Sequence, residues 1–430
     1  MVASDGYTAC LDRLYRLRRF GIKLGLEVIS GLLAHLDNPQ QRYHCIHVAG
    51  TNGKGSVAAT LAALLTAAGY RTGLYTSPHL VRFNERIAID GHPIDDDAVM
   101  AAYETVNAAP AQDREPTFFE FATAMALHTF RQQEVQWAVI ETGMGGRLDA
   151  TNIIRPEVAI ITNISLEHRA YLGATLAAIA GEKAGIVKDR VPVVTGATQS
   201  TVRAAIRRAA RAHQAPLLQL GVDFRVRRRP DGSFDYIGQR HQWRHLDLTL
   251  RGPHQYTNAA LALAAGEAIE PLAPRIVDAE VIRDGLRRTR WPGRLEIVQE
   301  HPTIILDGAH NLAAARNLAR YLAREAEQRR ITLVVGILDD KPFRPMLAAL
   351  LPCCHRVICT RPRIDRALPA ERLAEEARDQ GANVTIRPTV AEAVKTAIAM
   401  AAPEEIVCVA GSLYVVGEAK EILDTPSDMV

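Results

Sequence analysis

Three short segments carry side chains with which this chain could do phosphate chemistry. GlyThrAsnGlyLysGlySer at 50–56 puts glycines where backbone N–H groups must approach an anion, and Lys54 where an ammonium meets the outer phosphates of a nucleotide. The spacing departs from the standard phosphate loop, because Val48 stands at the position of its first glycine and Gly55 intervenes between Lys54 and Ser56. Glu141 closes an apolar run and leads into GlyMetGlyGlyArgLeuAsp at 143–149. A carboxylate at the end of a strand, beside a glycine loop, is where an α/β sheet offers a magnesium ligand, and a surface glutamate closing a strand reads the same way. AspGlyAlaHisAsn at 307–311 pairs Asp307 with His310 after a further apolar run, where Asp307 is either a helix cap or a ligand-facing carboxylate.

Two residues are weaker taken singly. His168, in LeuGluHisArgAlaTyrLeuGly at 166–173, reads alone as a structural hydrogen-bonding histidine. Lys183 lies among small residues in AlaGlyGluLysAlaGlyIleValLys at 180–188. It is either a charge on a helix face or a desolvated amine open to covalent modification. Only seven of the 51 basic residues are lysine, so a lysine kept inside a glycine-containing segment points to chemistry that a guanidinium cannot do.

The elements that must position these groups follow from periodicity. Apolar runs at 46–49, 73–76, 137–141 and 158–162 alternate with helical patterns over 54–68 and 118–133, the rhythm of a mostly parallel sheet covered by helices. The rhythm breaks at 222–250, where PheArgValArg, the turn ArgProAspGlySer and LeuAspLeuThrLeu (246–250) predict antiparallel strands. Helices over 254–268 and 277–288 lead to ArgTrpProGlyArg at 290–294. A second α/β series follows, with strands at 303–307, 331–336, 356–360 and 406–410. The division expected is 1–289, a linker at 290–294, and a Rossmann-like domain at 295–430.

Composition narrows the class. The chain has 430 residues, of which 48% are hydrophobic and 23% charged, enough apolar mass for more than one core and too little charge for disorder. A net charge of +3 gives no whole-protein basic field, and the cluster Arg225, Arg227, Arg228 and Arg229 reads as a solvated strand and turn, so no nucleic-acid partner is expected. The longest apolar run, Val57 to Ala68, is interrupted by threonines and too short for a membrane span. The first residues lack a basic stretch leading into an apolar one, and the six cysteines are scattered, which together suggest a reduced, cytoplasmic protein without a membrane partner. CysCysHis at 353–355 lacks the second pair a metal site would need.

Taken together, the segments resemble the folylpolyglutamate synthase and dihydrofolate synthase family within the Mur-type amide ligases. The resemblance runs from about residue 20 to 420 on GTNGKGS (50–56), TSPHLVRFNERI (76–87), TFFEFAT (117–123), ETGMGGRLDATN (141–152), LEHRAYLG (166–173), EKAGI (182–186), HQYTNA (254–259), PGR (292–294), DGAHN (307–311) and GSLYVVGE (411–418). It implies a Mur-ligase-type phosphate-loop domain with a parallel sheet and a small antiparallel sheet, followed by a Rossmann-like glutamate-ligase domain. It implies ATP, L-glutamate, dihydropteroate and reduced folates as substrates, with an acyl phosphate on the way to the amide. One family branch is restricted to folylpolyglutamate synthesis, and other Mur-type ligases act on other acids. By position, Gly50, Thr51, Asn52, Gly53, Lys54, Gly55 and Ser56 would hold ATP phosphates, with Asn258, Arg294 and Asp307 as further nucleotide contacts. Ser77 and Glu141 would hold one magnesium; His168 and Lys183, the latter as a carbamate made with carbon dioxide, would hold a second. Arg82, Thr117, Phe118, Phe119, Glu120, Leu148, Asp149 and Ala150 match substrate-binding segments, and His310 lies where the family handles glutamate. Lys54, Lys183 and His310 are thus the catalytic candidates, in an enzyme expected to be a monomer. Glu167 stands where the family often has Asp, which lengthens by one methylene the group beside His168.

Overall fold

The computed structural model describes residues 5–21, 23–110 and 114–424. The chain forms two compact units, one comprising 1–249 and 256–290, the other 250–255 and 291–430.

The first unit is built on an eight-stranded sheet of β1 (His44–Ala49), β2 (Thr72–Tyr75), β3 (Ile87–Ile89), β4 (His92–Pro93), β5 (Trp137–Glu141), β6 (Val158–Ile161), β7 (Val193–Thr195) and β8 (Leu217–Gln219). Their order is β4-β3-β2-β5-β1-β6-β7-β8; β3 and β4 pair antiparallel and the rest parallel. Strands covered by helices on both faces read as continuous apolar runs, and β5 and β6 are buried at every position. One face packs Ile29, Leu33, Met125, Phe130 and Ile140; the other packs Ala49, Ile161, Ile179, Val193 and Ile206. The helix Lys54–Ala67 is apolar nearly all round, as an interior helix must be.

A small antiparallel sheet of β9 (Arg225–Arg228), β10 (Phe234–Ile237) and β11 (Gln242–Leu246) completes this unit. Phe234, Tyr236 and Trp243 face inward, and Glu267 of the helix Pro253–Ile269 anchors them: it accepts from Tyr236 Oη at 3.2 Å and from the backbone N–H of His241 at 2.9 Å. The strand expected at 246–250 lies earlier, at β11. Trp243 and Leu246 supply its buried positions, and residues 247–250 run on as irregular chain.

The second unit holds β12 (Glu296–Glu300), β13 (Thr303–Leu306), β14 (Ile331–Val335), β15 (Arg356–Cys359), β16 (Val384–Ile386) and β17 (Ile406–Ala410) in the order β12-β13-β17-β14-β15-β16, with only β12 antiparallel. Its limits differ from the sequence-based division. Leu250–Gln255 belongs here, because Arg251 hydrogen-bonds Tyr321 and lines, with Ile297, Thr303 and Tyr321, a cavity of about 530 Å³. Arg290 groups with the first unit and Trp291 with the second, so the division falls within the expected linker 290–294. Cys353, Cys354 and His355 each donate to a backbone carbonyl, of Ala319, Leu350 and Ile331. No helix among the described residues is long and apolar enough to cross a membrane.

Candidate active site

Strand register builds the site of the first unit. Val48 lies opposite Glu141, Tyr75 opposite Ile140, and Ala49 opposite Ile161. The residues that follow β1, β2, β5 and β6 therefore emerge together at the carboxyl edge of the sheet, where an α/β fold places its ligands. Lys54 Nζ stands 3.6 Å from Glu141 Oε1, and the backbone N–H of Ser77 donates to Glu141 Oε2 at 3.3 Å. Gly50–Ser56 is held from outside itself. The N–H groups of Thr51 and Asn52 donate to Asn163 O and Oδ1 at 2.8 and 3.1 Å, while Thr162 Oγ1 and Asn163 Nδ2 donate to Asn52 O at 2.8 and 2.7 Å. Gly50 has φ +146°, and a Cβ there would overlap Thr162 Oγ1. Gly53 caps the helix Lys54–Ala67, and Asn258 packs directly against it. Gly55 and Ser56 lie buried in the first turn of that helix.

Lys183 ends the helix Leu176–Lys183 and is only 2% exposed. Its Nζ donates to Gly50 O at 2.8 Å and to Glu167 Oε1 at 3.0 Å, which joins the segment 182–186 to the glycine loop 50–56. Burial, with Lys54 nearby, holds this ammonium below the ordinary lysine range although Glu167 opposes the shift. Burial works to raise Glu167, but Lys183 and Lys54 bring it below the usual glutamate value. His168 is exposed in the left-handed region, φ +46°, at the start of the short helix Arg169–Leu172.

Several residues of the expected substrate segments have local work. Thr117 and Glu120 form a capping box that starts the helix Phe118–Gln132, and Arg114 clasps the Glu120 carboxylate at 2.7 and 2.8 Å, leaving Glu120 2% exposed. The motif S/T-x-x-E is legible at 117–120 and gives both side chains a structural role. Phe118 lies under the guanidinium groups of Arg18 and Arg86. Phe119 fills the space that a side chain on Gly143 would occupy. Arg82 pairs with Asp96 at 2.6 Å. Asp149 is 5% exposed and turned into its own loop, accepting from Met144 N at 2.7 Å and from Thr151 N at 3.1 Å. Leu148 is exposed, and Ala150 begins the short helix Ala150–Ile153. Sequence reading passed over Asn163, and gave Glu167 no partner. It also passed over His79, pushed down to about 3 by burial and by Arg86, whose Nε donates to its Nδ1 at 2.8 Å.

In the second unit, Asp307 follows β13 and its N–H donates to Val409 O at 3.0 Å. It is not the helix cap. Asn311 caps Leu312–Ala326 by accepting from Ala314 N at 2.9 Å, while the Asp307 carboxylate accepts from Leu295 N and Ala309 N, both at 3.0 Å. Burial raises this carboxyl above the usual aspartate range against the pull of Arg294. His310 Nδ1 donates to Gly308 O at 2.8 Å. Among the described residues no three His, Cys, Asp or Glu side chains converge as a metal cluster. The first unit's candidate donors are instead hydroxyl, carboxylate, imidazole and amine.

Residues 48–266 match the Mur ligase middle domain, and 293–413 match the Mur ligase glutamate ligase domain, which makes the chain a Mur-type ligase. It is 36% identical to the dihydrofolate synthase/folylpolyglutamate synthase of Bacillus subtilis, over 94% of this chain and 96% of that protein. The structure of Escherichia coli FolC in complex with DHPP and ADP is 34% identical, with a TM-score of 0.89 over 96% of this chain and 97% of that one. The bifunctional folylpolyglutamate synthase/dihydrofolate synthase of Yersinia pestis, complexed with AMPPNP and a manganese ion, is 32% identical with a TM-score of 0.86, covering 99% of this chain and all of that one. The chain belongs to the dihydrofolate synthase/folylpolyglutamate synthase family, ATP-dependent and ADP-forming ligases of folate metabolism.

Proposed function

We propose that this enzyme joins the amino group of L-glutamate to the carboxylate of dihydropteroate and to that of reduced folates at one site. The observation that carries the reading is the meeting of Lys54, Glu141 and Ser77 at the ends of β1, β5 and β2. The γ-phosphoryl group of ATP passes to a carboxylate oxygen of the pteroyl substrate, leaving ADP and an acyl phosphate. The glutamate nitrogen then attacks the acyl carbon, the bond to phosphate breaks, and the nitrogen gives up a proton. Lys54 offsets charge on the transferring group, while Gly50–Ser56, Asn258, Arg294 and Asp307 bind ATP. His310 orients the incoming glutamate.

Hard cations fit the oxygen donors of the first unit, because Glu141 is a buried carboxylate beside the phosphate-loop lysine. In this reading Ser77 and Glu141 hold one magnesium, and His168 with a carbamate on Lys183 holds a second; bound there, the ions neutralise charge on the phosphates. The carbamate is supported by the burial of the amine and by its lowered proton affinity, since carbon dioxide adds to a neutral amine and a proton is released. Arg82, Phe118, Phe119 and Leu148 contact the pteroyl end, with Thr117, Glu120, Asp149 and Ala150 shaping that wall. The reading extends to a monomeric cytoplasmic enzyme acting on small molecules alone.

The test supplies ATP, magnesium and glutamate with dihydropteroate or a reduced folate, and follows phosphate release and product mass together. Dihydropteroate should inhibit glutamylation of tetrahydrofolate competitively, and Glu141→Ala should abolish both activities. Dihydropteroate that is neither consumed nor inhibitory would leave only the folylpolyglutamate synthase activity. A separate expectation concerns Arg294, whose Nη1 donates to Gly293 O at 3.1 Å beside the Asp307 carboxylate. Arg294→Ala should raise KM for ATP about tenfold and change that for glutamate little. An unchanged KM for ATP would remove Arg294 from the nucleotide contacts.

A further inference from the structure

His47 occupies an interior position of β1, three residues before the phosphate loop, and is fully buried. An imidazole there is costly, since Val or Ile would suit a strand covered on both faces without burying polar nitrogens. Its Nε2 lies 2.9 Å from Thr151 Oγ1. The hydroxyl of Thr151 has one proton and gives it to Asp149 Oδ1, so the contact with His47 must be an N–H donated by the imidazole. Asp149 in turn receives Met144 N on its other oxygen at 2.7 Å and Thr151 N on Oδ1 at 3.1 Å. Gly143, Gly145 and Gly146 have no side chains with which to order the backbone, and Met144 packs its side chain against the cluster of Ala49 and Ile161, so the Asp149 carboxylate is what holds the Met144 N–H in place. The next residue along, Asn152, donates to Arg147 O at 2.9 Å and Gly185 O at 3.1 Å, tying the same loop to the turn after Lys183.

We propose that His47 is a positioning residue: through Thr151 and Asp149 it fixes the loop 143–149 against the strand that launches the phosphate loop, so that the pteroyl-binding wall and the nucleotide loop keep one spacing. This rests on the reading that the loop contacts the pteroyl substrate. The relay needs a neutral ring with its proton on Nε2. Burial, with Lys188 nearby, supplies the neutrality by pushing the imidazole down to about 3, and Nδ1 has no hydrogen-bond partner among the described residues.

The test compares His47→Phe, His47→Gln and Thr151→Val by steady-state kinetics with dihydropteroate and with ATP. His47→Phe and Thr151→Val should each raise KM for dihydropteroate about tenfold and leave KM for ATP within about twofold, and the double variant should be no worse than either single one. His47→Gln, whose carboxamide keeps an N–H donor, should recover most of the loss. If His47→Phe folds poorly, the near-isosteric Thr151→Val cuts the same relay and carries the same expectation. Equal rises in both KM values, or none in the dihydropteroate value, overturn the proposal. Two readouts need no pteroyl substrate. The ¹⁵N shifts of His47 should report one Nε2–H tautomer between about pH 5 and pH 8, where an unperturbed histidine would titrate. The Met144 amide should exchange faster in Thr151→Val than in the wild type. A titrating His47, or an unchanged Met144 amide, sinks the relay. A wild type that ignores dihydropteroate and folates sinks the functional reading instead, and the two spectroscopic readouts still decide the relay.

Discussion

Lys54→Ala should lower ligation by about a thousandfold or more while the protein stays folded. The magnitude follows from the role proposed for the residue: a phosphoryl group in transfer carries charge that positioned cations must offset, and loss of one such group costs several kcal/mol of transition-state stabilisation, about 4 kcal/mol for a thousandfold. The fold should tolerate the change. Lys54 begins the helix Lys54–Ala67, and alanine is the best helix former; the deleted ammonium leaves a loop braced by Asn163 and Thr162, not by Lys54 itself. Single-turnover ADP formation measures the loss, and thermal melting checks the fold. Turnover near that of the wild type in a folded Lys54→Ala protein would show that Gly50–Ser56 is not the phosphate loop.

Lys183→Arg should be as inactive as Lys183→Ala, each down about a thousandfold. Arginine keeps the positive charge, so a lysine needed only to pair with Glu167 at 3.0 Å would be partly replaced by it. A carbamate needs an amine that can bond to carbon dioxide, and a guanidinium forms none. Arginine is also larger, and the Lys183 site is closed by Gly50 O and the Glu167 carboxylate, so inactivity of this variant alone would not separate chemistry from crowding. Lys183→Ala separates them. It leaves room, and a short carboxylic acid added to the assay should restore part of the activity by supplying the missing oxygens. ¹³C-labelled carbon dioxide should give a carbamate resonance in the wild type that both variants lack. A fully active Lys183→Arg enzyme would refute the carbamate.

What could be read in advance divides along physical lines. The interior strands announced themselves because parallel strands buried on both faces must be apolar throughout, as in TrpAlaValIleGlu of β5. Edge strands did not: β12 reads GluIleValGlnGlu and β16 ValThrIle, half-exposed segments whose partners come from elsewhere in the chain. The third strand of the small sheet is misplaced by sequence because LeuAspLeuThrLeu alternates strictly while GlnTrpArgHisLeu does not, and only packing of Trp243 and Leu246 decides for the latter. At the site, local motifs were legible and their partners were not. Register across β1 and β5 brings Lys54 to Glu141 over 87 positions of sequence, a meeting that strand patterns cannot specify. Thr117 and Glu120 show the opposite case, a capping signature legible in the sequence itself as S/T-x-x-E. His47 stayed invisible because one histidine in an apolar strand carries no pattern of its own.

The bracing of Asn52 by Thr162 and Asn163 has a consequence for anyone who would transplant the GlyThrAsnGlyLysGlySer heptapeptide. Its curvature is written in residues about 110 positions downstream, at the end of β6, rather than in the heptapeptide. Grafted onto another strand and helix without an asparagine and a threonine presented by the neighbouring strand, the peptide would arrive slack and would have to be ordered by the nucleotide at an entropic cost. In its own setting the loop is already held in shape by these bonds, and the unit that evolution must keep together is a pair of adjacent strand ends rather than a stretch of sequence.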